Sequence, residues 1–291
     1  MSHPPPAASP ATTASARPDV PPRTTVGPRT RHGRRRSRSR LAELTSDTLL
    51  VFGRYVRQTL RAKIGLLMGV LMPLLVLFFF GPLLTNLPLG SGGDAWQTLV
   101  PGLLIQLGMF SAAFAGIGIL IEKQHGVIER MQVTPVSRLA LLMGRVLRDV
   151  VQMLTQSLLL VLAGMLMGLR APVLGVLIGF LFVAVLTIAL ASLSYGLAMR
   201  LNSPEEFAPV INTVNLPVML LSGILLPISL APHWLDVVSR FVPLRYLVEA
   251  VRAAFLGQYS STAMIRGALV AAVLATVSVF LGARIFRKAG A

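Results

Sequence analysis

Long apolar runs separated by short polar interruptions dominate this chain, and six of them reach spanning length, at residues 64–84, 98–121, 147–168, 172–199, 209–230 and 267–286. A helix needs about 20 apolar residues to cross a hydrocarbon core of ~30 Å, so each run predicts one transmembrane helix. Upstream, Leu41, Leu44, Thr48, Leu49, Phe52, Tyr55, Val56 and Leu60 fall on one helical face, while Arg54, Arg57 and Arg61 fall opposite. That spacing predicts an amphipathic helix over 41–63 lying along the membrane surface. Between the fifth and sixth runs, residues 232–258 read as two short amphipathic helices broken near Pro243. Their apolar sides carry Trp234, Leu235, Val238 and Phe241, then Leu247, Val248, Val251 and Phe255. Asp236 and Arg240, and Arg245 and Glu249, stand four residues apart, with Arg252 on the face of the second pair. Such pieces are too short to span, so they dip into the outer leaflet or cap the bundle. The pattern predicts an all-α integral membrane protein.

Composition supports that class. The 291 residues are 54% hydrophobic and 13% charged, which leaves room for a single membrane domain over 64–291 and none for a separate soluble catalytic domain. Cysteine is absent, which excludes a disulfide framework and thiolate metal ligation, and four scattered histidines give no metal-binding spacing. The net charge of +16 has two sources. Residues 1–40 hold nine arginines and one acid in a stretch rich in Pro, Ala, Ser and Thr, predicting a disordered basic tail. No apolar segment follows those charges closely enough for a secretory signal. Arg34 to Arg40 reads as a solvated arm drawn to anionic lipid head groups, not as a nucleic-acid contact.

The remaining excess follows membrane topology. Of the 27 basic residues, thirteen precede residue 64, five lie between 122 and 148, one is Arg200 and three close the chain. The other face of a six-span arrangement holds only Arg170, Arg240, Arg245, Arg252 and Arg266. By the positive-inside rule both termini are cytoplasmic, and so is the polar stretch from Glu122 to Arg148.

No motif for chemistry is present. The sequence lacks G-x-x-x-x-G-K-[ST], H-E-x-x-H and G-x-S-x-G, so it offers no phosphate-cradling loop, zincin site or nucleophile elbow, and no catalytic residue is assigned. Polar residues inside spans are the next candidates, because each costs free energy in hydrocarbon. Arg145, Asp149, Gln152 and Gln156 share one face at the start of the third span, and Asn212, Asn215, Met219 and Ser222 share one on the fifth. These stripes line a substrate path or a subunit interface; the plainer reading is an interfacial ion pair plus amides that join helices. Gly164 with Gly168, and Gly175 with Gly179, are small residues four apart, which predicts close helix packing.

Two stretches carry a resemblance. E-R-M-Q-V-T-P-V-S-R (Glu129 to Arg138), followed by L-L-M-G-R-V-L-R-D (Leu141 to Asp149), resembles the first cytoplasmic loop of type 2 ABC exporter permeases, particularly the daunorubicin-resistance-type membrane subunits. L-S-G-I-L-L-P-I-S-L-A-P-H-W-L (Leu221 to Leu235) and F-V-P-L-R-Y-L-V-E-A-V-R (Phe241 to Arg252) are similar to the end of that family's fifth span and its external re-entrant helices. The likeness covers about residues 41–290. It implies a non-catalytic permease subunit in a bacterial cell membrane that works as a homodimer or with a second permease. It further implies that ATP and Mg are held by a separate ATP-binding subunit, with no cofactor on this chain, and that drugs, antibiotics or lipid-like molecules are exported. By the same likeness, residues 41–63 are the connecting helix and Val127 to Thr134 a coupling helix against the ATPase. Val127, Ile128 and Met131 form its apolar face, Glu129 and Arg130 its polar contacts, and Thr134-Pro135 its end.

Two other classes remain open at this point. A membrane enzyme acting on lipid would use His125, Glu122 and Glu129 as acid and base. An ATP-independent carrier would need charges at mid-span or repeated halves, and neither is evident.

Overall fold

Where each helix begins and ends follows from local chemistry. The computed structural model describes residues 63–84, 94–125, 138–201, 203–225, 228 and 231–288. Among these the secondary structure is entirely helical: α1 Lys63–Leu84, α2 Ala95–Ala113, α3 Gly116–Gln124, α4 Arg138–Leu166, α5 Val173–Ala198, α6 Pro204–Leu221, α7 His233–Ser239, α8 Pro243–Phe255 and α9 Thr262–Lys288. The tail at 1–40, the surface helix expected over 41–63 apart from its last residue, and the loop bearing Val127, Ile128, Glu129, Arg130, Met131 and Thr134 lie outside the described residues.

Among the described residues, five segments are long and apolar enough to cross a membrane: Gly65–Leu84, Ala95–Gln124, Met143–Leu166, Val173–Ala198 and Thr262–Gly282. The chain is a multi-pass membrane protein. The fifth predicted run differs from its expectation. Instead of 209–230, α6 covers Pro204–Leu221, starting where the Ser203 hydroxyl accepts from the Glu206 N–H at 3.3 Å with Pro204 in the first turn. It stops because Gly223 turns the chain at φ +68°, a left-handed conformation that an apolar β-branched residue would resist. Glu205, Glu206, Asn212, Asn215 and three prolines keep it out of the set of five apolar spans.

The turn between α4 and α5 corrects one expectation. Gly168 is not a helix-packing residue: it sits past the end of α4 at φ +115°, with the Leu169 N–H donating to Gly164 O at 2.8 Å and the Gly168 N–H to Met165 O at 3.2 Å. Those two bonds cap α4 in a Schellman arrangement. Gly175 and Gly179 do mark a close approach, since a Cβ on Gly175 would lie 2.1 Å from Ala254 O and one on Gly179 2.9 Å from the Phe255 ring.

The helix on the other side of that approach is α8. Although only 13 residues long, it is packed among α2, α5 and α9, with Leu247, Val248, Val251, Ala254 and Phe255 fully buried. The helix is therefore part of the packed core, not a loose connection. Lipid supplies no hydrophobic drive between helices, so such packing rests on close backbone contact and dispersion. α5 is the hub, contacting α2, α3, α4, α8 and α9. The outer faces of α1, α5 and α9 present Phe78, Phe79, Leu177, Leu181, Leu269 and Phe280 to the surroundings, as hydrocarbon requires.

Candidate functional site

The second membrane segment is broken, and a polar cluster is built at the break. Between α2 and α3 the chain turns at Phe114 and Ala115, which frees backbone groups inside the bundle. Ser194 of α5 re-satisfies two of them: its hydroxyl accepts from the Gly116 N–H at 2.8 Å and donates to Ala113 O at 2.6 Å. Position 116 must be small, because a Cβ there would meet Ser194 O at 2.6 Å and the Phe207 ring of α6 at 2.7 Å.

Charge gathers one turn further on. The Arg145 guanidinium of α4 donates to the Glu122 carboxylate of α3, and the Tyr195 hydroxyl of α5 donates to the Asp149 carboxylate of α4. Arg148 Nε stands 3.5 Å from Asp149 Oδ1. Arg145 and Asp149 are buried, so their charges are tolerated because each lies beside an opposite charge or a hydroxyl donor. Together with Gln152 and Phe114 these residues line a cavity of about 310 Å³ beside the break. His125, the acid/base candidate of the enzyme reading, has its Nδ1 2.7 Å from Ile121 O. Glu122 is likewise taken up by its arginine, and the described residues hold no group of three metal-ligating side chains.

The face predicted on α4 therefore divides. Arg145, Asp149 and Gln152 meet at the cavity, whereas Gln156 turns to α1, donating from Nε2 to Leu66 O at 3.2 Å and filling the space above Gly69. The α6 stripe does not join them. Asn212 is exposed, Asn215 is buried, and the Ser222 hydroxyl donates to its own helix at Val218 O; none of the three lines the cavity. Sequence reasoning missed Ser194 and Tyr195. Their signal was the polar S-L-S-Y at Ser192 to Tyr195, which interrupts the most apolar of the described helices.

A second polar region occupies the opposite end of the bundle. Arg245 joins α7 to α8: Nη1 lies 2.7 Å from Asp236 Oδ1, and Nε donates to Glu249 Oε1 at 2.8 Å. Arg240 donates to Asp236 Oδ2 at 2.6 Å, so both pairs expected at four-residue spacing form. Bonding to Arg240 and Arg245 holds the Asp236 carboxyl below the ordinary carboxylate range. Arg252, expected on the face of the Arg245–Glu249 pair, lines one cavity with both and also makes bonds of its own. It points into the bundle, with Nε donating to Thr98 O at 3.0 Å and Nη2 to Gly223 O and Ile224 O at 2.8 and 3.1 Å. Burial pushes its pKa down to about 10, with Glu249 acting against the shift, so it stays charged at neutral pH. Trp234 stands out in the surroundings at 66% exposure.

Residues 47–256 match the model of the ABC-2 type transporter family. The chain belongs to that family. Relatives of the chain include a putative transport permease ycf38 of Cyanophora paradoxa, 29% identical over 70% of this chain and 71% of the relative. The daunorubicin resistance ABC transporter permease protein DrrB1 of Streptomyces coeruleorubidus is 25% identical over 65% and 67%. A probable doxorubicin resistance ABC transporter permease protein DrrC of Mycobacterium tuberculosis is 24% identical over 73% and 78%. The ABC-2 domain takes in both polar regions described above, and it identifies the chain as the membrane subunit of an ABC transporter, a class that pairs with an ATP-binding subunit and is generally non-catalytic itself.

Proposed function

We propose that this chain is the permease of an exporter that moves a hydrophobic drug, antibiotic or lipid-like molecule out of the cell, using ATP and Mg held by a separate subunit. The supporting observation is the Glu122–Arg145 pair, which ties together the two helices flanking the 126–137 loop and lines the cavity at the break in the second span. A push on that loop reaches both helices in this reading, because the Glu122–Arg145 pair couples them. In this reading Val127, Ile128, Glu129, Arg130, Met131 and Thr134 dock on the ATPase, and Arg145, Asp149 and Gln152 stand at the cytoplasmic entrance to the path. Asn212, Asn215 and Ser222 lie deeper along it, and Gln156 braces α4 against α1 beside it. Trp234, Asp236, Arg240, Arg245, Glu249 and Arg252 belong to the re-entrant corner on the outer face. α6 serves as the sixth span, two permeases pair in the membrane, and both termini face the cytoplasm of a bacterial cell. The relatives named for daunorubicin and doxorubicin resistance support a drug-like substrate over a polysaccharide.

ATP can shift the inward/outward equilibrium only by its differential affinity for the two states, so the loop must be held stiffly. Charge reversal at Glu129 and Arg130 is expected to abolish substrate-stimulated ATP hydrolysis by the partner while the chain still inserts. The measurement is hydrolysis by the co-purified pair in lipid across a panel of hydrophobic drugs; full stimulation in the reversed variant would refute docking through this loop.

A further inference from the structure

α6 is lightly attached to the bundle, and its two ends are fixed in different ways. Along its 18 residues only Phe207 and Asn215 are buried. Phe207 rests against Gly116 at the break between α2 and α3. At the other end the helix unwinds at Gly223, which strips the carbonyls of Gly223 and Ile224 of helical partners inside a packed region. A buried carbonyl without a donor is costly, and here a single guanidinium reaches both. The same guanidinium donates from Nε to Thr98 in the first turns of α2. Directly below, the Ile224 carbonyl lies so close to α2 that a Cβ on Gly102 would sit 1.8 Å from it.

We infer that Arg252 is a positioning residue that clasps the unwound end of α6 to α2 and so keeps the outer face of the transporter closed. The planar fork suits this role, since one rigid group bonds three carbonyls from two elements, which a lysine ammonium on a flexible stem does less well. The arginine is fixed on the most deeply buried of the short helices, so α8 is the anchor and α6 the moving part. A cavity of about 640 Å³ lined by Arg252, Arg245, Glu249, Asp236 and His233 adjoins the clasp. Water entering from it supplies the carbonyls with alternative donors when the clasp opens. Phe207 at the far end of the same helix meets the polar break, so a shift of α2 and α3 there is passed along α6 to the clasp.

The inference rests on the reading that this end faces outward, and the test separates the two. The chain has no cysteine, so one introduced thiol is the only target on it for a membrane-impermeant maleimide added to intact cells expressing the full chain. Half-buried Leu225→Cys reports the clasp, buried Leu169→Cys reports general loosening at the same end, and exposed Trp234→Cys reports orientation. Arg252→Gln is expected to raise labelling at position 225 about tenfold, as lost charge-assisted hydrogen bonds imply, and to leave position 169 unchanged. Arg252→Lys is expected to fall between, and it carries the comparison if the glutamine variant does not accumulate. Equal labelling at 225 with and without Arg252, or a parallel rise at 169, overturns the clasp. If Trp234→Cys labels only in inside-out membranes, the orientation is wrong, and the 225 comparison is then read in those membranes.

Discussion

The polar regions at the two ends of the bundle use the same residue types in opposite ways. At the Glu122 end, side chains satisfy side chains: guanidinium to carboxylate, hydroxyl to carboxylate, with Arg145 and Asp149 both buried. At the Arg252 end, the half-buried cation is satisfied by backbone carbonyls, and the carboxylate pairs lie further out, where Arg240 is 60% exposed. A side-chain network is vulnerable to loss of any member, because the partner left behind keeps its desolvation cost. A backbone-satisfied arginine exposes only one mutable residue, and exposed pairs in water contribute little. The contrast predicts which substitutions are severe.

The largest effect is expected from breaking the buried side of the comparison. Arg145→Leu leaves the half-buried Glu122 carboxylate without its guanidinium and should cost on the order of 3 kcal/mol. The double change Arg145→Leu with Glu122→Leu should cost less than the single one, read as the midpoint of thermal unfolding in detergent; a double variant worse than the single would show that the pair itself, not the stranded charge, holds this end. Next comes Gly102→Ala at the other end, where the added methyl meets the Ile224 carbonyl. The strain is about 1–3 kcal/mol, and α6 is displaced from α2, which proteolysis of the 221–231 segment would detect. Ser194→Ala removes the two bonds that stitch the break in the second span and should cost about 1 kcal/mol. A variant with an unchanged melting point would mean that the break is held by packing alone.

Asp236→Asn is the mildest. The Asp236 pKa is lowered by Arg240 and Arg245, so its contribution is full above the ordinary value of 3.8 and fades as pH falls below it toward the lowered folded value. The small difference in melting point between wild type and Asp236→Asn should therefore be flat near neutral pH and vanish only in strong acid. A difference that disappears between pH 7 and 5 would assign it to another group.

Much of this was legible from periodicity. The first, third, fourth and last apolar runs each became one helix, the second became the pair α2 and α3, and the helix pair broken at Pro243 formed with both of its four-residue ion pairs. Legibility failed where a local pattern had two physical meanings. Gly164 and Gly168 look like a packing pair in one dimension, yet Gly168 is a left-turning cap, because a helix that reaches the end of its span must reverse there. The fifth run looked like 22 apolar residues from 209, but a strong serine cap with proline and acids drew the start back to Pro204, and Gly223 ended the helix early. Gln156 was grouped with Asp149 by spacing, and a neighbouring backbone at Leu66 claimed it instead.

The order of apolar runs, the asymmetry of basic residues and the absence of a nucleotide motif were set by the sequence alone, because bilayer thickness and helical pitch act on each segment independently of its neighbours. Which polar groups meet was decided only in three dimensions. Glu122 finds Arg145 across 23 residues, Tyr195 finds Asp149 across 46, and Arg252 finds Thr98 across 154. Spacing tells which face of a helix a residue occupies, but not which helix will lie opposite. In a membrane, where every outer face is equally apolar, that choice falls to small-residue contacts and to the breaks and unwound ends whose backbone groups must find donors.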